Sequence, residues 1–469
     1  MLASLANTFS NCFKIPELKS RIIFTLIVLA ICRLEAVVRI PGLNGKALAA
    51  FFAQHAGAGS SMLGMYSLFT GGAFEHCALG ALGIMPYISA TIIVQLLTAV
   101  VPTLSKLARE EGGRSKLIQY GRYLTVLLCL GQGLFMAFQW ERPAGIFQGF
   151  TGQLVMYTSW IWWYRIQTTL ILTTGTMLLM WLGEQITERG IGNGVSLVIT
   201  IGILARLPQA AVSLKDMFSP PKGVPSTFNL GHAILLVALL AFVIGVVIAI
   251  TQAQRKIPVQ YAQRAVGRKV YSGGTSFLPL RVNYAGVMPV IFAQAILMFP
   301  QKLFLMAGNK FAESTSQGMK LIGGLFTKVA AALNEGQFWY LTLYALMILF
   351  FSYFWVATQF NELQIADDLK KNGGYIPGVR PGQQTSEYLH NIMSRITLAG
   401  AVFLTVIAVI PIILYKILAI PQAVAQFFGG TSMLIMVGVL LDTMRQMETH
   451  LLMRHYDGFL KKGKLRGRF

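Results

Sequence analysis

Residues 232–252 read HAILLVALLAFVIGVVIAITQ, without one Asp, Glu, Lys or Arg. A helix rises about 1.5 Å per residue, so such a run matches the roughly 30 Å hydrocarbon core of a bilayer. Nine further segments read the same way, at about 22–38, 78–101, 119–139, 166–183, 194–210, 285–306, 338–358, 396–415 and 427–444. Arg33 and Glu35 interrupt the first, and the fifth is short with a glycine-rich lead-in. Only 12% of the chain is charged, against about 25% in a soluble domain. So few charges cannot cover a water-facing surface. In lipid, backbone groups must find partners within the protein itself. The predicted class is therefore an all-α polytopic membrane protein with ten transmembrane helices.

The net charge of +21 must then sit in the loops. Most basic residues fall in the N-terminus, 102–122, 184–193, 253–284, 359–395 and 445–469, which all lie on one side of an alternating topology. That side is predicted to be cytoplasmic, with both termini inside, as an even number of spans requires. The N-terminal MLASLANTFSNCFKIPELKSRIIF lacks a small-residue cleavage site after a short apolar core, so the first segment reads as a retained anchor. The 253–284 loop carries Arg255, Lys256, Arg264, Arg268, Lys269 and Arg281, aromatic Tyr261 and Tyr271, and no acidic residue. Orientation needs fewer cations than this. The loop reads either as topology plus lipid contact, or as a surface for phosphate backbone, acidic protein or lipid head groups.

Two short patterns recur. GIMPYISATII at 83–93 matches GVMPVIFAQAI at 286–296 at Gly83/Gly286, Met85/Met288, Pro86/Pro289, Ile88/Ile291, Ala90/Ala293 and Ile93/Ile296. GVSLVI at 194–199 matches GTSMLI at 430–435 at Gly194/Gly430, Ser196/Ser432 and Ile199/Ile435. The first pair are the second and seventh segments, and the second pair the fifth and tenth. Both are five spans apart. Five is odd, so the second copy crosses in the opposite sense, giving two pseudo-symmetric inverted five-helix halves. Such folds place their path at the interface between repeats. Pro86 and Pro289 are expected to kink their helices. Gly83 and Gly286 are expected to allow close approach. The stretch 60–80, SSMLGMYSLFTGGAFEHCALG, is too broken by glycine to span, and reads as a surface half-helix or a re-entrant piece inside a cavity.

An inverted repeat also describes secondary transporters, but those usually hold midplane charges. Here the repeated positions Ile88, Ile199, Ile291 and Ile435 are aliphatic, and aliphatic side chains converging on an axis make a dry constriction. Gln95 and Gln294 are polar points that either bond across the interface or face a neighbour. A scaffold without a pore is a third reading. RGIGNGVS at 189–196 lacks the strand and the Lys-Ser/Thr of a phosphate loop, and reads as a flexible lead-in. The cysteines Cys12, Cys32, Cys77 and Cys129 read as small apolar fillers, and the six histidines are scattered. No cofactor, metal or enzyme chemistry is predicted.

Several longer motifs, RIPG (39–42), GGA and ALGIMPYISATIIVQLL (71–97), WLGEQITERGIGNGVS (181–196), LPLRVNYAGVMPVIFA (278–293), YIPGVRPGQQT (375–385) and FGGTSMLI (428–435), resemble bacterial SecY along nearly the whole chain. SecY is the family of channel subunits of the Sec protein translocase. The resemblance implies a clamshell around an hourglass pore, which passes unfolded preproteins and releases transmembrane segments sideways into lipid. It implies a pore ring at Ile84, Ile88, Val195, Ile199, Ile291 and Ile435. It implies a plug at about 61–74, including Met62, Leu63, Met65, Tyr66, Leu68, Phe69, Gly71, Gly72 and Phe74. A lateral gate is implied between the second and third and the seventh and eighth segments, with Thr91, Gln95 and Gln294.

The implied partners are SecE and SecG, the motor ATPase SecA, the ribosome, preprotein signal sequences and anionic lipids. The implied docking residues are Arg255, Lys256, Arg264, Arg268, Lys269, Lys370, Lys371 and Arg380. The expected layout is a cytoplasmic N-terminus (1–21), an N-terminal half (22–210), an external connector (211–231), a C-terminal half (232–444) and a basic cytoplasmic tail (445–469), in a bacterial cytoplasmic membrane. Departures from the family's pattern are Glu35, where glycine is common, Val195 for isoleucine, and the acidic Glu362 and Asp368. Glu35 is expected to face water or to pair with Arg33 or Arg39. The tryptophans of SWIWWYR (159–165) point to an interfacial belt with Arg165 at the outer face.

Overall fold

The computed structural model describes residues 15–54, 67, 70–110, 112–143, 150, 152–156, 160–218, 230–261, 264–266, 269–271, 274–312, 317–334, 336–418 and 431–462. The chain divides into two compact units, Met1–Lys222 with Ile435–Phe469, and Gly223–Leu434.

The first unit opens with α1 (Pro16–Glu35), whose Pro16 sits in the first turn, where a missing N–H costs nothing. A short helix α2 (Gly45–Gln54) and a 3-10 turn (Leu79–Leu82) lead to α3 (Met85–Val100). Pro86 lies in the first turn of α3 and starts the helix; it does not kink it, contrary to the sequence expectation. The bend comes at the other end. Val101 is extended before Pro102, and the chain turns by 105° into α4 (Pro102–Arg109).

Two long helices follow, α5 (Gly113–Glu141) and α6 (Ile161–Arg189). They meet closely at Gly133, where a Cβ would lie 3.4 Å from the Thr169 carbonyl oxygen. Arg122 and Glu184 bridge them at 2.8 Å. The fifth predicted segment is two helices, α7 (Gly194–Leu204) and α8 (Leu207–Phe218), broken at Ala205 and Arg206.

The second unit holds α9 (Leu230–Gln252), then β1 (Gln254–Tyr261), β2 (Arg264–Val266), β3 (Lys269–Tyr271) and β4 (Thr275–Arg281). It continues with α10 (Met288–Ala312), α11 (Gln317–Ala332), α12 (Phe338–Gln359), α13 (Glu362–Lys371), β5 (Gly374–Tyr375) and α14 (Gln383–Leu418). The last helix, α15 (Thr431–Lys462), carries the chain back into the first unit from Ile435. Pro289 again lies in the first turn, so α10 is not kinked there; its internal proline is Pro300.

Each of the ten predicted segments holds a helix among the described residues: α1, α3, α5, α6, α7, α9, α10, α12, α14 and α15. Of these, α5, α6, α9, α12 and α14 are long and apolar enough to cross a membrane singly, and the bent pair α3–α4 adds a sixth.

Candidate functional site

The local backbone repeats with the sequence. Gly83 precedes α3 at φ +61°, and Gly286 precedes α10 at φ +63°. Each stands three residues before the first-turn proline of its helix. A left-handed residue followed by a proline start is thus built twice, once in each unit. Close approach explains only one glycine. A Cβ on Gly83 would lie 3.1 Å from Thr70 Cγ2, whereas one on Gly286 would meet nothing within 4 Å.

In the first unit, Ile84 and Ile88 stand one turn apart at the head of α3, and both are buried. Val195 and Ile199 have the same spacing on α7; Ile199 is buried and Val195 half-buried. Ile435 is buried on α15. In the second unit, Ile291 and Gln294 are buried on α10. Thr91 donates to the Tyr87 and Ile88 carbonyls of its own helix at 2.9 and 2.8 Å. Its methyl faces Gly121 of α5. Gln95 is half-buried on the same helix.

Of the broken stretch, Ser67 and residues 70–80 are described. They are largely buried, which sets aside the surface half-helix reading for this part. Gly71, Gly72 and Phe74 belong to it; Met62, Leu63, Met65, Tyr66, Leu68 and Phe69 lie outside the described residues. Ile40 N–H donates to the Cys77 carbonyl at 2.9 Å, and Leu79 N–H to the Val38 carbonyl at 2.8 Å. These bonds hold the stretch against the end of α1. Gly71 and Gly72 adopt φ +60° and +89°. A Cβ on Gly71 would come within 2.6 Å of Arg33 and 2.9 Å of Gly202, so only glycine fits there.

Charged side chains close around this base. Arg33 Nη1 donates to the Gly71 carbonyl at 2.6 Å. Arg206, at the break between α7 and α8, pairs with Glu75 at 2.6 Å and also donates to Ser67 Oγ. Ser67 Oγ in turn donates to Glu75 at 2.8 Å. The sequence reading missed this clasp, because Arg206 lies more than a hundred residues from Ser67 and Glu75. Glu35 is buried, with 4% exposure, and neither carboxylate oxygen has a hydrogen-bond partner among the described residues. The expected pairing with Arg33 or Arg39 is therefore absent among them, and burial keeps the carboxylate away from bulk water.

The glycine-rich lead-in to α7 is clamped, not flexible as expected. Ile191 N–H donates to Thr25 Oγ1 at 3.1 Å, and Gly192 N–H to Gln446 Oε1 at 2.9 Å. Gly194 N–H donates to Thr187 Oγ1 at 2.9 Å, and Ser196 N–H to Asn193 Oδ1 at 3.3 Å. Backbone donors that a phosphate would need are thus committed, which supports setting the phosphate loop aside. A Cβ on Gly194 would overlap the Gly183 carbonyl at 1.8 Å, so α7 meets α6 backbone to backbone.

In the second unit the two basic loops fold as one body. β1 pairs antiparallel with β4 from Gln254–Arg281 to Gln260–Thr275. β5, from the later loop, adds to its other edge at Gln260–Tyr375 and Tyr261–Gly374. The sheet packs on a core that includes Ile257, Val259, Leu280, Ile376 and Leu389. Arg255 and Lys256 are exposed on β1, and Lys370 and Lys371 at the end of α13.

Arg264 and Lys269 belong to the paired strands β2 and β3; Arg268 lies outside the described residues. Arg380 is exposed between Gly378 at φ +84° and Gly382 at φ +105°, and its carbonyl accepts from the buried Thr385 at 2.9 Å. The turn therefore fixes the backbone and leaves the guanidinium outward. Glu362 lies 3.0 Å from His390 Nδ1, and Asp368 is exposed.

Trp160, Trp162 and Trp163 are exposed at the head of α6. Arg165 stacks between Trp162 and Phe138 and pairs with Glu141 at 2.9 Å. Cys32, Cys77 and Cys129 are buried free thiols, as fillers would be, and Cys12 lies outside the described residues.

A family model for SecY matches residues 78–444. The chain is 43% identical over 468 residues to the protein translocase subunit SecY of Chlamydia trachomatis, which spans 98% of this chain and 99% of that protein. A solved structure described as showing that the plug domain of SecY stabilises the closed translocation channel and maintains a membrane seal is similar, with TM-score 0.57, 18% identity and 92% of each chain covered. Canine Sec61 in a ribosome–channel complex is similar with TM-score 0.52, 17% identity and 92% of each chain covered. These likenesses in fold, and the identity over nearly the full length, agree with the motifs: the chain belongs to the SecY family of protein translocase subunits.

Proposed function

We propose that this chain is the central protein-conducting channel of a Sec translocase, passing unfolded preproteins across the membrane and releasing transmembrane segments laterally into lipid. Family membership assigns it to protein translocases; the secondary-transporter reading is dropped, and enzyme chemistry with it. The finer assignments are ours. Ile84, Ile88, Val195, Ile199, Ile291 and Ile435 form the waist, where aliphatic side chains exclude ions and water by dewetting. Residues of about 61–74 form the plug. Thr91, Gln95 and Gln294 line the lateral gate.

The observation that carries this reading is the buried base of the broken stretch, held by Arg33 and Arg206 beside the helices that carry Ile84, Ile88, Val195 and Ile199. A segment tied by a few polar bonds is stable at rest and releasable, which a plug requires.

The basic sheet body is the docking surface for SecA and for the ribosome, with Arg255, Lys256, Arg264, Arg268, Lys269, Lys370, Lys371 and Arg380 as its cations. The Sec61 relative seen with a ribosome supports that assignment. SecE, SecG, signal sequences and anionic lipids complete the partner set. The chain is placed in a bacterial cytoplasmic membrane with both termini inside, following its loop charges.

The test is ion flux through reconstituted channels. Replacing Ile88, Ile199, Ile291 and Ile435 with serine is expected to raise resting conductance and to relax discrimination between signal sequences. Silent conductance rejects the waist assignment. Cysteines placed at 88 and 291 are expected to crosslink a stalled preprotein.

A further inference from the structure

The clasp described above leaves one buried group unused. Glu35 ends α1 with its carboxylate against α6. A Cβ on Gly175 would lie 2.8 Å from Glu35 Oε1, so the absence of a side chain there makes room for the acid. Gly80 flanks its other side, 3.7 Å from Glu35 Cγ by the same measure. Glu35 also lines a small cavity of about 30 Å3 within the first unit, together with Arg33, Thr70, Ala73, Gly83 and Ile84. A water needs roughly 10–15 Å3 of such space and two or more polar partners. Both carboxylate oxygens are free to accept, among the described residues. Arg33 gives one N–H to the Gly71 carbonyl, and a guanidinium has five. A carboxyl group this deeply buried needs hydrogen-bond partners.

We propose that this cavity is a hydration site that couples Glu35 to Arg33: ordered water accepts from the guanidinium and donates to the carboxylate. The relay holds the guanidinium in the pose that grips Gly71, so Glu35 is a positioning residue for the base of the plug. This rests on the plug reading above.

The test has two arms, both on the assembled translocase. In a cryo-EM map of the complex in nanodiscs that resolves waters, density bonded to both Glu35 and Arg33 is expected. A carboxylate bonded directly to Arg33, with no density between, overturns the site. In reconstituted vesicles, Glu35→Ala is expected to raise resting ion flux about tenfold, the scale of one charge-assisted hydrogen bond. Glu35→Gln, which keeps an acceptor, is expected to recover part of that loss. Arg33→Ala is expected to leak as well, and the double variant to leak no more than Arg33→Ala alone. Additive effects overturn the coupling. Density at the site with Arg33→Ala itself silent supports the hydration site and rejects instead the plug reading it serves.

Discussion

At Gly83 and Gly286 the same residue meets two different demands. Both need a left-handed backbone, which costs a side-chain-bearing residue about 1–2 kcal/mol. Only Gly83 also faces a neighbour, Thr70, at contact distance. Gly83→Ala is therefore expected to lower the thermal stability of the purified protein more than Gly286→Ala; equal shifts count against the crowding at Thr70. The equivalence of the two glycines was legible from the spacing Gly-x-Met-Pro alone. Their conformation was not, because spacing cannot separate a proline that starts a helix from one that kinks it. The clasp of Arg206, Glu75 and Ser67 was illegible for a different reason: an ion pair leaves no local pattern when its members are far apart in sequence. Glu35 was legible as an anomaly, and its depth of burial was not.

Among the elements, the lead-in to α7 and the docking sheet show what glycine and charge patterns conceal. Glycines at 190, 192 and 194 looked like slack, yet each sits where a neighbour leaves no room or where φ is positive. Gly194→Ala drives a methyl into the Gly183 carbonyl. The expected result is a loss of roughly 2–3 kcal/mol, or poor accumulation of folded protein, on the scale of an overpacked core. A tolerated substitution argues that α7 shifts freely on α6.

The loops at 253–284 and 359–395 looked like separate basic segments. Antiparallel pairing through β1 joins them, a long-range contact that period-2 patterning in such short strands does not announce. Reversing Arg380 to Glu is expected to cut SecA-driven translocation tenfold or more with little change in melting temperature, since the turn is fixed by its glycines and by Thr385. Intact translocation with Arg380→Glu leaves the cations as topology signals only.

For the whole molecule, length, apolar runs and the five-span offset of the repeats were enough to predict a helical, two-part membrane fold. The comparisons bear out the SecY fold and the assignment to protein translocase subunits. The exposed tryptophans at the head of α6, with Arg165 held between rings, match the belt expected where helices leave the bilayer. Replacing Trp160, Trp162 and Trp163 together with alanine is expected to weaken quenching of tryptophan fluorescence by brominated lipids while translocation persists. The clasp on the broken stretch has a consequence at this scale. Arg33, Arg206, Glu75 and Ser67 all belong to the first unit. The clasp and the segment it holds are thus carried by the same unit. On the plug and gate reading proposed above, the clasp can hold its segment without any residue of the second unit, and sealing and sideways release then rest on different contacts. Arg206→Ala is therefore expected to raise resting ion flux in reconstituted vesicles while the insertion of transmembrane segments into lipid persists.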